Sequence, residues 1–220
     1  MKIAFSTLGC PAWSWERILD QAASLGYDGI EVRGVNGEMS LAACEPFRPD
    51  RITHTLRQLR ERELDIVCLG TSCSFHDKSG FVRAVEEGMA AIELAQRLCA
   101  PYIRVFGGTV PEFGSKEETV HQVVHGLRTL CGHAAGRDVT VLLETHGDFC
   151  LADDVANIVR KVGPGRFGVL WDMGNTAKHH TGGAPSGESP EKTVGKLASS
   201  IRHVHFKDTP NKRVIVLPIL

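Results

Sequence analysis

The stretch His203-Val204-His205-Phe206-Lys207-Asp208 reads as a strand. His203, His205 and Lys207 share one face, and Val204 and Phe206 the other. Two imidazoles and an ammonium make a poor core, because each needs a partner to offset its desolvation. The arrangement makes sense if that face looks into a polar cavity holding a metal, an anion or both. Two earlier stretches, Val141-Leu-Leu-Glu-Thr-His146 and Val169-Leu-Trp-Asp-Met-Gly-Asn175, have the same form. Each is an apolar run that ends in potential ligands, and function is to be sought where the three ends meet.

Upstream, strands are expected over Lys2–Ser6, Tyr27–Arg33, Leu64–Leu69, Tyr102–Phe106, Val139–Glu144 and Arg166–Asp172. Between them fall helical patterns at Trp15–Leu25, Pro49–Glu63, 80–98, Lys116–Ala135 and Asp153–Val162, then a Gly/His/Pro-rich loop over 174–187. A further helix starts at Ser189 or Pro190. Such repeated βα units give a doubly wound sheet or a closed barrel. No GxGxxG follows the first strand, which counts against a dinucleotide-binding sheet. Polar residues collect at the C-terminal ends of the strands, at Glu31, His76, Arg104, Glu144, Asp172 and His205. That distribution predicts a TIM (β/α)8-type barrel with its site on that rim. A full barrel takes about 250 residues. This chain has 220, enough for seven strands, or eight if Val214–Leu217 contributes one. The expectation is a single domain over 1–220, truncated after the seventh strand, without the usual last strand and helix.

The 25 basic and 26 acidic residues nearly cancel, which argues against a nucleic-acid surface. The seven cysteines form no CxxC pair, and several sit in apolar patterns, which points to a reduced, cytoplasmic setting. No segment reaches the ~18 apolar residues of a membrane span, so a soluble protein is expected.

Glu144, Asp172 and His205 come from consecutive strand ends and can converge on one point. Two carboxylates and an imidazole suit a divalent ion such as Mn²⁺, Co²⁺, Mg²⁺ or Zn²⁺. Taken singly, each has a plainer role: a strand-end Asp or Glu caps a helix or pairs with a base, and a strand histidine is structural. His146, two residues past Glu144, is placed to contact substrate or to orient Glu144. Lys207 suits an anionic oxygen or a salt bridge across the rim. Arg104 points inward as an anchor for a substrate carboxylate or hydroxyl. Trp13, Trp15 and Trp171 suit stacking on a sugar face or, more plainly, packing in the core or at the rim, and His179-His180 is assigned to a solvated loop.

Leu-Leu-Glu-Thr-His146, Gly-Val-Leu-Trp-Asp172, Gly-Glu-Ser-Pro190 and His-Val-His-Phe-Lys-Asp208 together resemble the xylose isomerase-like TIM-barrel family. This is the sugar phosphate isomerase/epimerase group, which includes D-tagatose 3-epimerase and inosose dehydratase and is related to endonuclease IV. The resemblance implies a divalent ion bound by Glu, Asp, His and Glu at four strand ends. Carried onto this chain, the first three are Glu144, Asp172 and His205. The fourth, a glutamate on the last strand of the family, has no counterpart, since no acidic residue follows Asp208. Asn175 stands where several relatives place a substrate-contacting histidine.

The function the resemblance implies is isomerisation or epimerisation of a small sugar or polyol, with Glu144 as base and His146, Lys207, Arg104 and Asn175 toward substrate. A dehydratase acting on an inosose-like substrate is the alternative, and a non-catalytic remnant lacking the fourth ligand a third reading. The open edges beside the first and seventh strands are expected to be covered by the Val214–Leu220 tail or by a second subunit in a homodimer.

Overall fold

The computed structural model describes residues 2–181, 183–207 and 214–217. Its parallel strands are β1 (Ala4–Ser6), β2 (Gly29–Val32), β3 (Asp65–Ser74), β4 (Tyr102–Phe106), β5 (Thr140–Glu144) and β6 (Phe167–Asp172). A short hairpin, β7 (His180–Thr181) and β8 (Ala184–Pro185), precedes the seventh parallel strand, β9 (Ile201–Lys207), and then β10 (Val214–Leu217). The barrel order is β1-β10-β9-β6-β5-β4-β3-β2. Seven strands run parallel, and β10 bridges the remaining gap antiparallel to both neighbours, pairing Ala4 with Val216 and Phe206 with Ile215. The TIM-type wall is therefore completed by a reversed strand from the Val214–Leu217 run. Asp208 and the tail beyond Leu217 lie outside the described residues.

The helices α1 (Trp15–Ser24), α2 (Ile52–Glu61), α3 (Phe81–Arg97), α4 (Lys116–Ala134), α5 (Ala152–Val162) and α7 (Pro190–Leu197) connect the strands, with a single-turn α6 (Met173–Ala177) directly after β6. Ser14, Ser115 and Ser189 cap α1, α4 and α7 by accepting from the backbone N–H three residues on, each such cap contributing about 1 kcal/mol. Close helix packing needs glycine at Gly126 in α4, where a Cβ would lie 2.3 Å from the Phe75 ring.

Strand alternation divides the interior. On β4, Ile103 and Val105 join the main core beneath the helices, while Tyr102, Arg104 and Phe106 take the other face. Tyr102 packs with a small separate cluster of Ala4, Val67 and Cys68, which floors the barrel lumen. Above that floor the lining is ionic.

Two expectations need correction. The 174–187 segment is not an unstructured loop: it begins inside α6 and carries the β7–β8 hairpin, because the Asp172 carboxylate nucleates a helical turn. The strand expected over Leu64–Leu69 runs on to Ser74, with a register shift against β4 between Gly70 and Ser74.

Candidate functional site

The ends of β2, β4, β5, β6 and β9 bring Glu31, Arg104, Glu144, Asp172, His203 and His205 into the lumen, all of them buried. His205 stands at the centre. Its Nδ1 faces Asp172 Oδ2 at 3.7 Å and Glu144 Oε1 at 3.9 Å, while its Nε2 donates to Glu31 Oε2 at 2.8 Å. The Nε2 of His203 lies 3.3 Å from the same Glu31 oxygen.

Each carboxylate on the Nδ1 side is held by a cation. The Arg104 Nε sits 3.1 Å from Glu144 Oε2, and Arg104 Nη1 donates to the Thr71 carbonyl at 2.7 Å. Its guanidinium lies over the Phe106 ring, 4.1 Å from the centroid. Asp172 divides its two oxygens: Oδ1 accepts from the Asn175 N–H at 2.7 Å, capping α6, and Oδ2 meets Lys207 Nζ at 2.8 Å. Lys207 Nζ also donates to Asn175 Oδ1 at 2.6 Å, and Asn175 Nδ2 to the Thr145 carbonyl at 3.1 Å. Both of the plainer roles expected for these residues, the cap and the salt bridge, are thus present beside the cluster.

The charges reinforce one another. Burial works against the His205 imidazolium, but the Glu31, Asp172 and Glu144 carboxylates outweigh it and raise its pKa to about 10. Burial likewise opposes the charged forms of Glu31 and Asp172. The two imidazoles nevertheless hold the Glu31 carboxyl well below its usual range, and His205, Lys207 and the α6 N–H do the same, more moderately, for Asp172.

These donors fit a divalent ion. Glu144, Asp172 and His205 each offer a ligand atom within 4.8 Å of the others. The gaps of 3.7 and 3.9 Å from Nδ1 are too long for hydrogen bonds. Room remains for an ion with bonds of about 2.0–2.2 Å to each donor. An ion held by these three residues alone would keep further positions for other ligands.

His146 was expected to contact substrate or to orient Glu144. Strand β5 ends at Glu144, and His146 lies just beyond it, before the turn at Gly147, whose φ is +59°. Its exposed ring packs on Phe106, with centroids 4.8 Å apart, and makes no hydrogen bond to Glu144. Trp15 and Trp171 are core residues whose indole N–H groups reach Gln58 and Thr176, as expected for packing. His179 and His180 bond to Ser186 and to the Lys178 carbonyl in the hairpin. The Gly-Glu-Ser-Pro190 stretch also has a structural explanation: buried Glu188 accepts from the Ala152 N–H at 2.6 Å, tying the start of α5 to α7.

The family model for xylose isomerase-like TIM barrels matches residues 19–215. The chain belongs to that family. Among solved structures it is similar to the probable 3-DHS dehydratase AsbF of Bacillus anthracis, at 22% identity and a TM-score of 0.75, over 94% of this chain and 73% of that one. It is also similar to the IolI protein with a bound zinc atom, at 18% identity and TM-score 0.74, over 97% and 78% of the two chains. The D-psicose 3-epimerase of Clostridium cellulolyticum H10, in complex with D-tagatose, gives 16% identity and TM-score 0.74, over 94% and 73%. At these identities the likeness establishes the fold. No curated protein matches. Among the described residues, no helix is long and apolar enough to cross a membrane.

Proposed function

We propose that this chain is a divalent-metal-dependent isomerase or epimerase of a small sugar or polyol. The reading is carried by the His205 Nδ1, Glu144 Oε1 and Asp172 Oδ2 atoms, which face one another across a gap too wide for hydrogen bonds. A divalent ion held there by Glu144, Asp172 and His205 supplies Lewis-acid polarisation of a substrate carbonyl.

The chain's own groups do the rest. Glu144 takes the proton from the carbon next to that carbonyl, and Arg104 fixes the carboxylate by its other oxygen. Lys207, clamped between Asp172 and Asn175, keeps a third N–H for the substrate oxygen on which negative charge develops. Phe106 and His146 form a wall at the rim against which a sugar face can lie. The similarity to a dehydratase supports a second outcome from the same first step, in which the hydroxyl beta to the carbonyl leaves as water, its oxygen taking the proton that Glu144 removed.

The test is solvent exchange. With Mn²⁺ present, a panel of ketoses and inososes is incubated in D₂O, and deuterium entering next to the carbonyl is read by NMR. Exchange that Glu144→Gln abolishes, in a variant that remains folded, supports the assignment. Exchange undiminished in Glu144→Gln removes Glu144 as the base. A wild-type protein that retains no Mn²⁺, Co²⁺, Mg²⁺ or Zn²⁺ overturns the metal-dependent reading.

A further inference from the structure

The His205 ring belongs to two clusters. One is Glu144, Asp172 and His205; the other is Glu31, His203 and His205. An imidazole offers a different nitrogen to each, so the ring's orientation decides which cluster can hold an ion.

The two clusters differ in spacing and access. On the Glu31 side, Nε2 and Oε2 are already in hydrogen-bond contact at 2.8 Å, leaving no room for an ion between them. That side is also sealed: Glu31 is 1% exposed and His203 0%, and the Tyr102 ring lies close by. On the other side Nδ1 stands 3.7 and 3.9 Å from its carboxylate neighbours, just below the rim where Lys207 is 27% exposed. A carboxylate accepts and cannot donate, so the contact at 2.8 Å puts a proton on Nε2. With that proton retained, Nδ1 is the nitrogen that gives up its own proton when an ion binds, and its lone pair is the one a ligand can use. No ladder hydrogen bond between neighbouring strands could do this, because β2 and β9 are separated in the barrel by β1 and β10.

We infer that Glu31 is a positioning residue for this site: by accepting the Nε2–H of His205 it turns Nδ1 toward Glu144 and Asp172 and makes that nitrogen the metal ligand. This rests on the metal-dependent reading above. Carboxylates that hold the far nitrogen of a ligating histidine are a general device, and removing one lowers metal affinity by about 10–100-fold.

The experiment uses full-length protein labelled with ¹⁵N-histidine and titrated with Zn²⁺, which is diamagnetic. Wild type is expected to show the His205 Nδ1 resonance shifted by coordination while Nε2 stays protonated. Glu31→Gln keeps an acceptor oxygen, so the fold is retained, and Zn²⁺ affinity should drop about tenfold; Glu31→Leu should drop it toward 100-fold. Coordination through Nε2, or wild-type affinity in both variants, overturns the inference while leaving a metal site in place. Wild type that binds no Zn²⁺ at all overturns the metal-dependent reading and this inference with it. Should Glu31→Leu fail to fold, the resonance assignment in wild type and the affinity of Glu31→Gln decide the matter.

Discussion

The two sides of the His205 ring are built on different principles. Toward Glu31 the contacts are short and, among the described residues, made by the two imidazoles, above an apolar floor. Toward Glu144 and Asp172 the contacts to the ring are long, and each carboxylate is held from behind by a cation, Arg104 or Lys207. A closed side fixes geometry; an open side has donors held in place with capacity to spare. The difference teaches that burial alone does not mark a reactive carboxylate, since Glu31, Glu144 and Asp172 are all buried. What separates them is whether the atoms facing the shared imidazole are in contact or held apart.

The contrast breaks first with Glu144→Ala combined with Asp172→Ala. Mn²⁺ binding measured by calorimetry should fall below detection, a larger loss than the roughly 10–100-fold expected for an outer partner. Next in size is Glu31→Ala, which leaves two buried imidazoles without their carboxylate. Urea unfolding should show about 3–5 kcal/mol lost. Lys207→Met acts on the open side, where Asp172 keeps its α6 N–H, and should cost about 1–3 kcal/mol in the same assay. Equal losses for Glu31→Ala and Lys207→Met would erase the distinction between the sides.

A pH series sharpens the comparison in metal-free protein. The folded value of His205, about 10, lies above the unfolded imidazole value of about 6.5. Its contribution is therefore complete below the unfolded value and is lost as pH rises through the folded one. The melting temperature should decline from neutral pH toward pH 10, and the decline should flatten in Glu31→Gln. The smallest effect concerns the floor itself. Cys68 is buried and its thiol is pushed well above its usual pKa by that burial, whereas Cys99 is exposed. A thiol reagent should label Cys99 in the native state and Cys68 only on unfolding. Native labelling of Cys68 would mean that the floor is not sealed.

The alternation of His203, His205 and Lys207 announced a polar lumen, and the three strand ends that meet there were legible as apolar runs ending in ligands. Asp172 was read both as a cap and as a ligand candidate, and its two oxygens divide along that line. The need of the imidazoles for a partner was also legible, but not that Glu31 meets it. In a short Gly-Ile-Glu-Val strand 174 residues from His205 it looks like any rim carboxylate, and only barrel closure brings the two together. His146 was placed toward the site by alternation from Glu144, and its ring meets Phe106 at the rim, not Glu144 itself.

Closing the ring with a reversed strand bears on how the chain folds. The β1–β10 pairing joins Ala4 to Val216, a contact spanning almost the whole sequence, and β10 also supplies the partner of β9. Contacts of such long separation form late, since the entropy of closing the loop must be met before they contribute. During synthesis, β1 lacks this partner until the chain has been made past Leu217, with its edge hydrogen-bonding groups open to other chains. The step that completes the barrel is thus also the one that ends its exposure to aggregation.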